Sequence, residues 1–323
     1  MTEAIGAASL PLSARAPGKC IVFGEHAVVH GGPELLFAVD LTTQLFLRPA
    51  ARAQLNGDPA APERHPYFRA ALAQPWAPRT PLEVQAVSRI PRGAGLGSSA
   101  AFCAAFAAGG SALGGGVDRA GLAQRSFDIE RTAQGVGSPG DTSAAVAGGF
   151  LTVNAPGSGP TLWSVRDGPR TWDVRRVDDP GWVWIVAHSG IPRATGDAVR
   201  SVSARLRAPD GPELLEQFAR VAREGIAAMA AGDRAAVGAR MAENQQLLRE
   251  VGVSHPRLEA LLDAVAPNVD GAKLTGAGAG GSIVALPRPG AEVEAVRRLA
   301  RAGGLPFVVR PARDGAELVG PPA

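Results

Sequence analysis

The chain has 323 residues, too many for one core of ordinary size, so the expectation is two domains or one large domain mixing helices and strands. Hydrophobic residues make up 46% and charged ones 20%, and the 41 Gly and 27 Pro form no low-complexity tract, which excludes a disordered or fibrous protein. With a net charge of +3 and its arginines scattered rather than set in a stripe, the chain gives no reason to expect nucleic acid as a partner.

The N-terminal stretch "MTEAIGAASLPLSARAPGK" carries an early acid, two prolines and no continuous apolar core, so it does not read as a secretory signal. Cys20 and Cys103 lie far apart in apolar surroundings and read as buried reduced thiols, in keeping with a cytoplasmic location. "KCIVFGEHAVV" and "ELLFAVDLTTQLFLRP" read as strands separated by a Gly-Gly-Pro turn at 31–33. "PLEVQAVSRIP" alternates like a half-buried strand and stops at Pro91. A glycine loop follows in "PRGAGLGSSAAF", Pro91 to Phe102, with Ser98 or Ser99 expected to cap a helix running to about Ala112. No charge occurs between Gly93 and Val117, a span long enough for a bilayer. It is made of Ala, Gly and Ser with few large apolar residues, however, so it reads as a closely packed helix of a soluble protein and no membrane is expected.

Residues 118–134 open with an Asp cap and repeat apolar residues at helical spacing, placing Glu130 near the end of a second helix. After the loop "GVGSPGD" the sequence returns to small residues and then strand. The polar, turn-rich segment before Trp182 is taken as a boundary near residue 178, dividing the chain into 1–178 and 179–323. Beyond it come a buried strand, "GWVWIVAHSG", and successive helices over 212–266. Strand "GAKLT", a glycine loop, strand "SIVALP", a helix and strand "LPFVVR" complete the order, and "RDGAELVGPPA" reads as a loose tail. This mixture predicts an α+β fold with helices on one face of a largely antiparallel sheet.

Three segments carry chemistry. The loop at 93–97 fits neither a Walker loop, having no Lys at the required place, nor a dinucleotide fingerprint, because Ser98 stands where the last glycine belongs. It does join a strand to a helix N-terminus, where free N–H groups and the helix dipole favour an anion such as a polyphosphate. A tight turn with no ligand fits the loop equally well. At 276–281 the pattern G-x-G-x-x-G is satisfied to the letter, yet a strand follows instead of a helix, which rejects a dinucleotide site. A hairpin-like loop whose backbone approaches a ligand or another loop fits better. In "APGKCIVFGEHAVVHGG", Lys19 stands after Pro-Gly at the start of a strand and Glu25 and His26 follow its far end; singly, Lys19 reads as a solvated lysine and His26 as a hydrogen-bonded loop histidine.

Together, and in order over nearly the whole chain, the three segments resemble the GHMP kinase superfamily, named for galactokinase, homoserine kinase, mevalonate kinase and phosphomevalonate kinase. "PRGAGLGSSAA" is similar to its phosphate-binding motif, "APGKCIVFGEHAVVHGG" to its N-terminal motif and "KLTGAGAGG" to its C-terminal glycine motif. "GEHAVVHGG", "HSGIPRATGDAV" and "ENQQLLREVGVSHPRLEALLDAV" resemble the mevalonate kinase branch. The resemblance implies a two-domain fold, ribosomal-S5-like then ferredoxin-like, with the site between the domains. It also implies ATP-dependent phosphorylation of the 5-hydroxyl of mevalonate in isoprenoid biosynthesis, with Mg²⁺, and a homodimer is common in the family.

Residue roles follow from the same likeness. Asp141, eleven residues after Glu130, would be the general base, with Lys19 beside it stabilising the developing alkoxide. Glu130 and Ser99 would bind Mg²⁺. Gly93, Ala94, Gly95, Leu96, Gly97, Ser98 and Ser99 would wrap the ATP phosphates, and Glu25, His26, Arg193, Thr195, Gly276 and Ala277 would lie near mevalonate. Ala279 departs from the motif's usual glycine, and its β-carbon penalises any left-handed backbone there. The competing readings are phosphomevalonate kinase or another small-alcohol kinase of the superfamily, and a non-catalytic ligand sensor, which would not need Lys19, Ser99, Glu130 and Asp141 together.

Overall fold

The computed structural model describes residues 4–61, 63–192 and 195–320, with side chains omitted for 195–197 and 199. The N-terminal half is built on a sheet of β1 (Leu12–Phe23), β2 (Glu34–Pro49), β3 (Gln54–Leu55), β4 (Asp58–Pro59), β5 (Leu82–Ser88), β6 (Phe150–Val153), β7 (Thr161–Asp167) and β8 (Arg170–Val177). Its helices are α1 (Pro66–Leu72), α2 (Ser98–Leu113), α3 (Arg119–Gln134) and α4 (Gly140–Ala147). The C-terminal half carries β9 (Trp184–His188), β10 (Val269–Thr275), β11 (Ser282–Pro287) and β12 (Leu305–Val309). Its helices are α5 (Thr195–Arg205), α6 (Gly211–Ala230), α7 (Arg234–Glu250), α8 (Pro256–Val265) and α9 (Glu292–Arg301).

β1 and β2 form the spine of the first sheet. They pair antiparallel from Leu12↔Leu47 to Phe23↔Leu35, with a register shift between Pro17 and Gly18. A proline has no N–H to give a ladder, and the shift falls where it would otherwise be needed. α2 packs against this spine. Its alanine and glycine run is buried on nearly every side, as the lack of charge predicts. Small residues let it sit close: a β-carbon on Gly109 would stand 3.2 Å from both Leu12 and Leu47. Among the described residues no helix is long and apolar enough to cross a membrane.

The second sheet runs β10-β11-β9-β12, and every neighbouring pair is antiparallel. Numbered within this half, that is order 2-3-1-4 around a β-α-β-β-α-β chain path, the ferredoxin-like arrangement. The expected α+β class holds.

Two expectations change. The tail does not hang loose: β13 (Glu317–Val319) pairs antiparallel with β1, returning the chain's end to the first sheet. Arg15 and Glu317 make an ion pair at 2.6 Å across that junction, and Arg119 donates to the Ala316 carbonyl at 2.5 Å. Short polar sequences of this kind gain order from such long-range partners, which composition does not reveal. The other change is at α2. Its N-cap is Gly97, in a left-handed conformation with no side-chain cap, while Ser98 is already the first helical residue.

Candidate functional site

Lys19 sits in the middle of β1 with a side chain only 2% exposed, and its Nζ lies 3.0 Å from Asp141 Oδ1. A buried ammonium needs such a partner, because an uncompensated charge would be too costly to desolvate. The Lys19 backbone N–H donates to the Leu96 carbonyl at 2.9 Å, tying β1 to the glycine loop. Strand and loop meet closely because Gly97 has no side chain: a β-carbon there would stand 2.7 Å from Lys19 Cγ, and its φ is +72°.

That loop delivers α2 with its first-turn N–H groups uncapped by any side chain. Ser98 or Ser99 as a cap would have satisfied them internally; leaving them open keeps the positive end of the helix available to an anion. Ser99 turns instead to α3, donating to Glu130 Oε1 at 2.9 Å. Gln134, one turn further on α3, donates to the same oxygen at 3.0 Å. Burial first and the charge of Asp141 second push the Glu130 carboxyl up to about 7, with the Ser99 hydrogen bond pulling the other way.

Asp141 lies in the first turn of α4 rather than at its cap, which is Pro139. The far end of α4 is held by two arginines. Arg176 donates to the carbonyls of Ala147 and Gly148, and Arg119 to that of Val146. Carbonyls with no partner inside the helix are thus satisfied by cations suited to the negative end of its dipole.

The third glycine loop is joined to the first two. Thr275 Oγ1 accepts from the Ile21 N–H at 3.0 Å and donates to the Ile21 carbonyl at 2.9 Å, just beyond Lys19 on β1. Ser282 Oγ donates to the Ala94 carbonyl at 2.7 Å. Lys273 pairs with Glu25, both fully buried. Burial raises the Glu25 carboxyl and the Lys273 charge opposes that rise. His26 follows with φ +66°, a region costing an L-residue on the order of 1–3 kcal/mol, held where the chain turns into a short 3-10 stretch. Ala279 does adopt a positive φ, 58°, and its N–H bonds the Val253 carbonyl at 2.6 Å, which offsets the penalty expected of its β-carbon.

The three loops enclose a cavity of about 700 Å³. Lys19, Glu25, His26, Ser99, Glu130 and Asp141 line it. Gly93, Gly95, Gly97 and Ser98 line it as well, and so do Gly276 and Ala277. Ala94 and Leu96 differ: their side chains are buried in the core, and their carbonyls hold Ser282 and Lys19. Arg193 lies outside the described residues, and of Thr195 only the backbone, opening α5, is described.

Sequence reasoning missed three groups. Gln134 completes the hydrogen bonding of Glu130. Lys273 stands inside the quoted "KLTGAGAGG" but reads there as one residue of a strand. Glu34 lines the cavity at 1% exposure. It opens an apolar strand after a turn signal, a place where a carboxylate reads as solvated.

A buried lysine paired with a carboxylate beside an open helix N-terminus, with a second carboxylate and a serine hydroxyl nearby, is an arrangement suited to holding phosphate and orienting a hydroxyl, as a small-molecule phosphotransferase requires. The chain belongs to the GHMP kinase family: the models for the GHMP kinases N terminal domain and GHMP kinases C terminal match residues 66–149 and 226–304. Within the family it falls with the mevalonate kinases. It is 30% identical to the mevalonate kinase of Aeropyrum pernix, over 94% of this chain and 97% of that one. It is 31% identical to that of Archaeoglobus fulgidus, over 84% and 91%. The fold matches the crystal structure of L. major mevalonate kinase in complex with R-mevalonate with a TM-score of 0.73, at 21% identity over 96% and 98% of the two chains.

Proposed function

We propose that the chain transfers the γ-phosphoryl group of ATP to the 5-hydroxyl of mevalonate, giving 5-phosphomevalonate. The observation that carries the reaction type is the 3.0 Å pair of Lys19 and Asp141 beside the open N-terminus of α2. Phosphoryl transfer asks a protein mainly for positioning and charge stabilisation. Asp141 orients the hydroxyl and accepts its proton. Lys19 holds Asp141 in place and stabilises the alkoxide oxygen as it forms. The N–H groups at Gly95 to Ser99 receive the phosphates.

The donor set fits Mg²⁺. Ser99 Oγ and Glu130 supply hard oxygens on facing helices, and a cation there would relieve the buried Glu130 carboxylate. No cluster of three or more His, Cys, Asp or Glu able to hold a metal occurs among the described residues, so phosphate oxygens and water would complete the coordination. When bound, the ion would neutralise charge on the phosphates. Division of the chain near residue 178, supported by the polar, turn-rich segment there, a cytoplasmic location, supported by the two free buried cysteines, and assembly as a homodimer, supported by likeness to the family, belong to the same reading.

A coupled ADP-release assay with Mg-ATP against mevalonate, phosphomevalonate, homoserine and galactose tests it. Turnover of mevalonate alone is expected. Turnover of phosphomevalonate only, or of none of the four, ends the proposal.

A further inference from the structure

Glu34 lines the cavity at the start of β2, with 1% of its surface exposed. Its Oε2 is buried with no hydrogen-bond partner among the described residues. The carboxyl packs against Gly140, next to Asp141 in the first turn of α4: a β-carbon on Gly140 would stand 2.0 Å from Oε2. The structure therefore keeps Gly140 bare to admit this acid. Buried polar atoms are almost always satisfied, and one left open in the wall of a ligand cavity points to a partner the ligand brings.

We propose that Glu34 is a substrate-binding residue that hydrogen-bonds a non-reacting hydroxyl of the alcohol substrate, which in mevalonate is the 3-hydroxyl. The inference rests on the mevalonate reading above. Charge selects the partner. Glu34 already faces Asp141 on α4 and Glu25 beyond β1, with Lys19 of β1 the opposing cation. A third anion, such as the substrate carboxylate, would be repelled there, whereas a hydroxyl both donates and accepts. Burial first and Asp141 second hold the Glu34 carboxyl well above the usual carboxylate range, so it too is able to donate as well as accept.

The test compares wild type, Glu34→Ala and the near-isosteric Glu34→Gln, each with mevalonate and with 5-hydroxy-3-methylpentanoate, which lacks the 3-hydroxyl. Glu34→Ala should raise KM for mevalonate about tenfold, the worth of one hydrogen bond, with the loss on KM rather than kcat. Glu34→Gln, which keeps a donor and an acceptor, should recover most of it. On the analogue, wild type and Glu34→Ala should share one KM. An equal rise in KM on both substrates, a loss confined to kcat, or a Glu34→Gln as impaired as Glu34→Ala while wild type turns over mevalonate, would overturn the role of Glu34 alone. Wild type inactive on mevalonate would overturn both readings.

Discussion

Lys19 of β1 and Asp141 of α4 meet at 3.0 Å, although 122 positions apart by their numbers, and the same Lys19 holds the glycine loop through its backbone. One residue thus fixes the distance between the proposed proton acceptor and the phosphate cradle. Asp141→Asn removes the acceptor while keeping shape and a partner for Lys19. It should lower kcat by about 10²–10⁴-fold and leave ATP affinity unchanged, the range expected for loss of a general base. Steady-state ADP release and nucleotide titration by fluorescence measure the two; near-normal turnover would remove Asp141 from its role.

Gly97→Ala places a methyl group 2.7 Å from Lys19 Cγ at a φ of +72°. The backbone alone costs about 1–2 kcal/mol. Both the KM for ATP and kcat should worsen, because the phosphate loop and Lys19 shift together, and the melting temperature should fall. A variant with wild-type ATP kinetics would show that the loop does not depend on this approach.

Lys273→Met leaves Glu25 buried without its cation, a change that costs about 3–5 kcal/mol in comparable buried pairs. Adding Glu25→Gln should restore part of that loss, which chemical denaturation curves of the single and double variants would reveal. No recovery in the double variant would mean that Lys273 stabilises through packing alone.

The pH dependence of stability follows from Glu130, whose carboxyl rises from 4.5 to about 7, mainly through burial. Its folded form keeps a proton that the unfolded form has lost, so this contribution is full below about pH 4.5 and is lost as pH rises through about 7. Glu130→Gln should flatten the decline in melting temperature of the ligand-free protein across that window, measured with chelator present. Glu25 and Glu34, shifted in the same direction, keep part of the slope. An unchanged profile would show that Glu130 does not hold its proton more tightly when folded.

Legible in the sequence alone were the α+β class, most of the strands and helices in their order, the Asp118 cap of α3 and the three segments that build the cavity; α1, the α4 helix that carries Asp141, and strands β3, β4, β7 and β8 were not. The legible features are local matters: hydrophobic period, glycine where the chain must turn, and motif spacing. The 118–134 helix is an example, since its cap and periodicity lie within its own residues and the Gly121 N–H does bond Asp118 at 2.7 Å. It took the tertiary contacts to set Gly97 rather than a serine before α2, to close β13 onto β1, to turn Glu34 into the cavity and to bury Lys273 against Glu25. Those outcomes depend on which distant group arrives beside each residue. A glutamate that opens a strand is solvated or buried according to whether a bare Gly140, over a hundred residues later, makes room for it. Its charge, its partners and its use are then set by desolvation and by Asp141 and Lys19, neighbours its sequence context does not contain.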